Sequence, residues 1–207
     1  MRIISGNFKG KKILLPKDKL TRPLKDLTKE SIFNILKHSK LLNIELENSN
    51  ILDLFSGVGS FGLECLSGGA KNVTFLESYT EVLNILKKNI NNLNQQNQTK
   101  IIEKNIFSEN TLKLLNDKFD IIFMDPPYKE KKLSFLLNAI NELKLLNTSG
   151  IIIIHRHKKE EDDLPKEFNL ILKKKLWYFK NYIWKYFNLI LFLFLFLLTQ
   201  QKVDQMD

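Results

Sequence analysis

Short, almost wholly apolar runs recur along the chain with amphipathic segments between them: Ile51 to Phe55, Val73 to Leu76, Ile121 to Met124 and Ile151 to Ile154, plus a shorter one at Ile101 and Ile102. A strand with one wet face alternates apolar and polar residues, whereas a strand covered on both faces is apolar throughout. The pattern therefore implies a doubly wound, mostly parallel α/β sheet over residues 46–175. The predicted intervening helices run from Ser60 to Leu66, from Thr80 to Leu93, over a short piece near Ser108 to Leu115, and from Leu133 to Leu145. Residues 1–45 read as a basic hairpin or arm followed by a helix from Asp26 to about Lys40, with Leu27, Ile32, Phe33, Ile35 and Leu36 as its apolar face and Pro23 before it. Residues 176–207 form a divergent apolar tail.

Five of the eight glycines lie between Gly57 and Gly69, directly after the first run, in ILDLFSGVGSFGLECLSGGA. The spacing Gly57-x-Gly59-x-x-Gly62 permits a sharp turn from strand into helix, frees backbone N–H groups and lets a ligand approach. Glu77 ends the second run 20 residues after Gly57, where an acid can accept hydrogen bonds from the hydroxyls of an adenosine ribose. Asp53 separates two cofactor classes. A carboxylate four residues before the loop would repel the pyrophosphate of a dinucleotide, but attract the sulfonium and ammonium groups of S-adenosylmethionine. A nicotinamide oxidoreductase is disfavoured on the same ground.

The fourth run ends in Asp125, Pro126, Pro127 and Tyr128. In a doubly wound sheet these residues open at the carboxyl edge beside the glycine loop, where ligands bind. Prolines fix φ and donate no hydrogen bond, so the Pro126 carbonyl and the Asp125 carboxyl can accept both hydrogens of an exocyclic amine on a nucleobase, and Tyr128 can stack on the base. A paired base hides that amine, so the target must be single-stranded, looped or flipped out.

Charge points to the same partner. Residues 1–40 hold eleven basic and three acidic side chains, so +8 of the total +9 lies there, a footprint for a polyanion. Arg2, Lys9, Lys11, Lys12 and Arg22 are the candidate RNA contacts. A lone cysteine, Cys65, excludes an internal disulfide framework and fits a reducing, cytoplasmic compartment. The pair in HRHKK is expected to place His155 and His157 on opposite faces of a strand end, and no metal is expected.

In order along the chain, MRIISGNFKGKKILLP, TRPLKDLTKESIFNIL, ILDLFSGVGSFGLECLSGGA, VTFLES and FDIIFMDPPY resemble the RsmD-type 16S rRNA guanine-N2 methyltransferases over residues 1–172. The resemblance implies a Rossmann-like methyltransferase fold, S-adenosylmethionine as donor, and as acceptor a guanine of 16S rRNA, in an assembling 30S particle. It implies that Asp53, Gly57 and Gly59 hold the donor's methionine end, Glu77 the ribose, and Asn105 and Ile106 the adenine, with Phe55 also contacting the donor, while Asp125, Pro126, Pro127 and Tyr128 hold the target base. Leu24 and Leu27 stand where the family usually has a small hydroxyl residue and a basic one.

The resemblance ends abruptly at Leu176. The family closes its sheet with an antiparallel strand pair, which the remaining sequence does not resemble, and a changed reading frame there is one explanation. Leu189 to Leu198 is ten apolar residues, short of the roughly 20 needed to span a bilayer, so no stable membrane insertion is expected. A monomer is expected. The rival readings are a DNA or other RNA exocyclic-amino methyltransferase, and a catalytically silent RNA-binding assembly protein.

Overall fold

A computed structural model describes residues 1–17, 24–127, 129–157, 165, 168–176 and 179–186. The strands are β1 (Asn50–Leu54), β2 (Asn72–Glu77), β3 (Thr99–Glu103), β4 (Phe119–Met124), β5 (Leu146–His157), β6 (Phe168–Leu176) and β7 (Phe179–Tyr186), and the helices are α1 (Asp26–His38), α2 (Ser60–Ser67), α3 (Thr80–Asn92) and α4 (Leu133–Glu142). The strands form one sheet in the order β3-β2-β1-β4-β5-β7-β6. β1 pairs in parallel with both β2 and β4, so the chain order reverses between β1 and β4 and a crevice opens beyond their carboxyl ends.

Successive side chains of a strand face opposite ways, and here that alternation divides the core in two. Ile51, Val73, Phe75, Ile121, Phe123, Ile151 and Ile153 pack with Ile32, Phe33, Phe61, Leu63, Val82 and Leu86 of α1, α2 and α3. Leu52, Leu54, Leu76, Ile122, Met124, Ile152 and Ile154 pack with Leu133, Leu136, Leu137 and Ile140 of α4. Each fully buried aliphatic side chain contributes roughly 1.5–3 kcal/mol of transfer free energy, which is why both faces must be covered and the strands read as unbroken apolar runs. The parallel sheet and three of its four predicted helices are as the sequence implies. The fourth, near Ser108 to Leu115, is only a 3-10 turn over Leu112–Leu114. Asn110 takes a left-handed φ of 62° and the Thr111 hydroxyl donates to the Asn105 carbonyl, so local polar bonds replace the helical ladder.

The N-terminal arm is a short hairpin lying along α2. Arg2 bridges Lys12 antiparallel, the Ile3 N–H donates to the Lys11 carbonyl, and Ile3 and Ile13 are buried in the first core. Its turn sits at the far end of α2 from the glycine loop, where the Phe8 N–H donates to Ser67 Oγ. α1 follows with Asp26 in its first turn, favourable against the helix dipole, and its buried stripe includes Lys29, Ile32, Phe33 and Leu36. Leu27, predicted on that stripe, is instead 73% exposed.

The reading of the chain beyond 175 needs correction. β7 runs antiparallel between β5 and β6, with Ile153 opposite Ile183 and Leu172 opposite the same residue on the other side. The sheet therefore closes with an antiparallel pair, and residues 179–186 belong to it. Ladder bonds are made by the backbone, so the segment FKNYIWKY can lose the family's letters and still pair through the strand preference of its aromatic and β-branched residues. The apolar stretch 189–198 lies outside the described residues, and among those described no helix is long and apolar enough to cross a membrane.

Candidate active site

A cleft of about 900 Å³ opens at the carboxyl ends of β1, β2 and β4. Its floor begins at the turn after β1. Phe55 takes a φ of 60° and Gly57 one of 54°, so two residues in the left-handed region swing the chain from strand to helix. For glycine this costs nothing sterically, whereas for Phe55 it is strain of about 1–2 kcal/mol held by the surrounding structure. Gly59, at φ 84°, is the N-cap of α2. It is buried and not part of the cleft wall, and a Cβ there would come within 2.5 Å of Leu86, so its contribution is the shape of the turn.

Glu77 ties the loop to β2. One carboxylate oxygen accepts the Gly57 N–H at 2.8 Å, and the other accepts those of Ser78 at 2.8 Å and Tyr79 at 2.9 Å. A carboxylate offers roughly four lone-pair sites, so backbone donors take three and about one remains for a ligand hydroxyl. Asp53 is 1% exposed and accepts the Gly62 N–H at 3.0 Å. Burial pushes its carboxyl up to about 8, against that hydrogen bond, with Asp125 and Glu77 adding to the rise. That rise favours the neutral acid over the standing carboxylate that the sequence suggests, and a cationic ligand beside it would favour the charged form.

On the other side, Asp125, Pro126 and Pro127 line the same cleft. Asp125 sits half-buried just past β4. Burial raises its carboxyl to about 6, opposed by the neighbouring His155 and Arg156 side chains, so it is mostly ionised at neutral pH. In the loop that follows, the Pro127 carbonyl accepts from the Glu130 N–H at 2.9 Å and from Arg156 Nη1 at 3.2 Å. Phe55 and Phe107 meet at 6.0 Å between ring centroids and, with Ile106 and Leu76, make an apolar wall. Asn105 stands at the rim, its side-chain oxygen accepting the Phe107 N–H at 2.9 Å.

The tertiary structure thus gathers Asp53, Phe55, Gly57, Glu77, Asn105, Ile106, Asp125, Pro126 and Pro127 around one space. Tyr128 and Arg22 lie outside the described residues. Arg2, Lys9, Lys11 and Lys12 are exposed on the hairpin, with no part in the cleft wall. Sequence reasoning missed Lys25 and Thr28, which α1 brings to the rim, and also Phe107, His155 and Arg156. The two β5 residues had a usable signal: Met124 pairs with Ile154, so the next residues along, Asp125 and His155, lie side by side. Strand positions 155 and 157 are two apart and share a face, so the expectation that they diverge was wrong. Among the described residues no group of three or more His, Cys, Asp and Glu side chains could hold a metal ion.

The donor set fits S-adenosylmethionine. The acids Asp53, Glu77, Asp125 and Glu130 outnumber the lysines Lys25 and Lys104 on the wall, which suits a cationic ligand and disfavours a pyrophosphate, while Phe55, Ile106 and Phe107 offer an aromatic ring an apolar slot.

Comparison with known proteins agrees with this arrangement. The family model described as conserved hypothetical protein 95 matches residues 1–184. Ribosomal RNA small subunit methyltransferase D of Buchnera aphidicola is 35% identical over 83% of this chain and 86% of its own, and its namesake in Haemophilus influenzae is 30% identical over 84% and 88%. A solved Escherichia coli chain superposes with a TM-score of 0.74 at 24% identity, covering 90% of this chain and 97% of that one. An RNA methyltransferase from Salinibacter ruber, solved in complex with S-adenosyl-L-homocysteine, has a TM-score of 0.59 at 10% identity, covering 82% and 97%, which speaks to the fold alone. The family match continues through β6 and into β7, beyond the 172 residues over which the motifs are recognisable by eye. By its sequence, its Rossmann-like methyltransferase fold and the composition of its cleft, the chain belongs to the RsmD-type family of S-adenosylmethionine-dependent rRNA methyltransferases.

Proposed function

We propose that the chain methylates the exocyclic N2 amino group of a guanine in 16S rRNA, acting as a monomer on an assembling 30S particle in the cytoplasm. One observation carries this reading: the acceptor residues Asp125 and Pro126 and the donor-holding residues Asp53, Phe55, Gly57 and Glu77 line a single cleft at the switch point of the sheet. When bound, S-adenosylmethionine supplies an electrophilic methyl group. Glu77 would hold a ribose hydroxyl, Asn105 and Ile106 the adenine, and Asp53 the positive methionine end.

An aromatic amine is a poor nucleophile because its lone pair is delocalised into the ring. The ionised Asp125 carboxylate and the Pro126 carbonyl would accept its two hydrogens, returning electron density to nitrogen and aiming the lone pair at the cleft interior. Asp125, with its carboxyl near 6, can then hold the proton that the methylated amine loses. Most of the remaining acceleration comes from placement, for which effective molarities reach roughly 10⁵–10⁸ M. Tyr128 would stack on the base. Exposed Arg2, Lys9, Lys11 and Lys12, together with Arg22, would hold phosphates.

The test is transfer of labelled methyl from S-adenosylmethionine to under-methylated 30S particles, naked 16S rRNA and duplex DNA, followed by mass spectrometry of the modified nucleotide. Label at guanine N2 in rRNA is expected, and Asp125→Ala should abolish it while donor binding survives. Label in DNA alone would end the proposal.

A further inference from the structure

Arg156 is the largest fully buried side chain among the described residues, 2% exposed, just past the apolar run Ile151 to Ile154 of β5. It belongs to the alternate set with Ile152 and Ile154, on the α4 side of the sheet, and so comes at the loop after β4 from the face opposite His155. Its two terminal nitrogens go to two carbonyls: Nη1 to Pro127 at 3.2 Å and Nη2 to Glu130 at 3.0 Å. Those residues are the first and last of a four-residue turn closed by the Glu130 N–H on the Pro127 carbonyl at 2.9 Å. One rigid guanidinium therefore spans both ends of the turn that follows Asp125 and Pro126. The prolines make this necessary, because neither can donate a ladder bond that would hold the segment to a neighbouring strand. A lysine could not do the same, since its ammonium is a point donor without the planar fork.

We propose that Arg156 is a positioning residue for methyl transfer, bracing the 127–130 turn so that the Asp125 carboxyl and Pro126 carbonyl stay aimed into the cleft. The inference rests on the reading of these two as the acceptors of the target amine. Asp125 is faced by His155 and Arg156 from β5 and by Asp53 from β1, with Glu77 and Lys25 on the same cleft wall. Arg156 also contributes charge, favouring the ionised Asp125.

Arg156→Met and Arg156→Lys in the full chain test the brace. Arg156→Met should lower kcat by about 30-fold or more, while KM for S-adenosylmethionine stays within about twofold, the split expected when geometry at the reacting atoms is lost. The acid limb of its pH profile should move to higher pH, because a cation that favoured the carboxylate has gone. Arg156→Lys keeps the charge, so its acid limb should stay in place while kcat recovers only in part. In both variants, without substrate, the Glu130 amide should exchange its hydrogen about tenfold faster or more. If Arg156→Met does not fold, Arg156→Lys decides through the same exchange and kcat-against-KM measurements. Wild-type kcat in a folded variant, equal losses in kcat and donor affinity, or unchanged Glu130 exchange would each overturn the brace. Faster exchange in a protein whose wild type labels no rRNA would keep the brace and sink the proposed reaction instead.

Discussion

Lys29 and Glu64 form an ion pair with both side chains fully buried, Nζ to Oε1 at 3.0 Å. The same ammonium donates to the Arg2 carbonyl at 2.6 Å and lies 3.2 Å from Asp26, and the same Glu64 oxygen accepts the Ile4 N–H at 2.7 Å. The cluster fastens the N-terminal hairpin to α1 and α2, whose first turns border the cleft. Its second oxygen, Glu64 Oε2, has no partner among the described residues, so the desolvation of the pair is incompletely offset and its net contribution to stability is small. Breaking it is another matter. Lys29→Met leaves a buried, uncompensated carboxylate, at a cost of about 3–5 kcal/mol. At roughly 2–4 °C per kcal/mol for a domain of this size, the melting temperature should fall by on the order of 10 °C. Adding Glu64→Leu removes the stranded charge and newly strands only the Ile4 N–H, about 1–3 kcal/mol, since the Arg2 carbonyl has already lost its donor with Lys29. The double variant should therefore be more stable than Lys29→Met alone, with a coupling energy of about 2 kcal/mol or more from urea unfolding of all four proteins. Additivity within about 0.5 kcal/mol would refute the reasoning, since it would mean that the two charges do not sense each other.

Asp53 gives a pH prediction. An acid whose folded value is raised from 3.8 to about 8 takes up a proton on folding between those limits, so through this group stability falls as pH climbs from about 4 to 8, and Asp53→Asn should flatten that slope in urea unfolding. Binding of the cationic donor reverses the preference, so titration calorimetry near pH 7 in buffers of different ionisation enthalpy should reveal proton release, and a buffer-independent heat would contradict it. Gly62→Ala places a methyl group into the Phe75 ring and 2.7 Å from Val73 Cγ1, so despite a better helix propensity it should cost about 1–3 kcal/mol in thermal unfolding; an unchanged melting temperature would mean that Phe75 yields freely. Charge reversal at Lys9, Lys11 and Lys12 should weaken RNA binding and flatten its salt dependence. Because the hairpin turn lies about 12 Å along α2 from the glycine loop, kcat at saturating RNA should be unchanged. An unaltered salt slope would exclude the arm from the interface.

Much of the site was legible because its residues sit at strand ends next to distinctive local chemistry. Asp53, Gly57 and Glu77 are punctuation in apolar runs, and the order of runs already places the turn after β1 beside the turn after β4. Arg156 was not legible, because a buried arginine and a solvated one look alike until its neighbours are known. Leu27 was misassigned to the buried stripe because its face depends on where α1 rolls against the sheet, and β7 was missed because backbone pairing leaves little trace in side-chain identity. The charge of Asp53 was misread for a related reason: desolvation is a property of the packed interior, not of the residue.

By itself the sequence determined the alternation of buried strand and amphipathic helix, the sharp glycine turn after the first strand, the basic N-terminus and the proline-rich segment Asp125 to Pro127 at a strand end, since each follows from steric or hydrophobic rules acting over a few residues. Only the tertiary structure decided that Arg156 reaches Pro127 and Glu130, that Glu77 spends most of its acceptors on backbone N–H groups of the glycine loop and of the turn after β2, that Lys29 is buried against Glu64, and that residues 179–186 complete the sheet. Those outcomes depend on distances between parts of the chain remote in sequence, and on how much water the fold excludes around each charge.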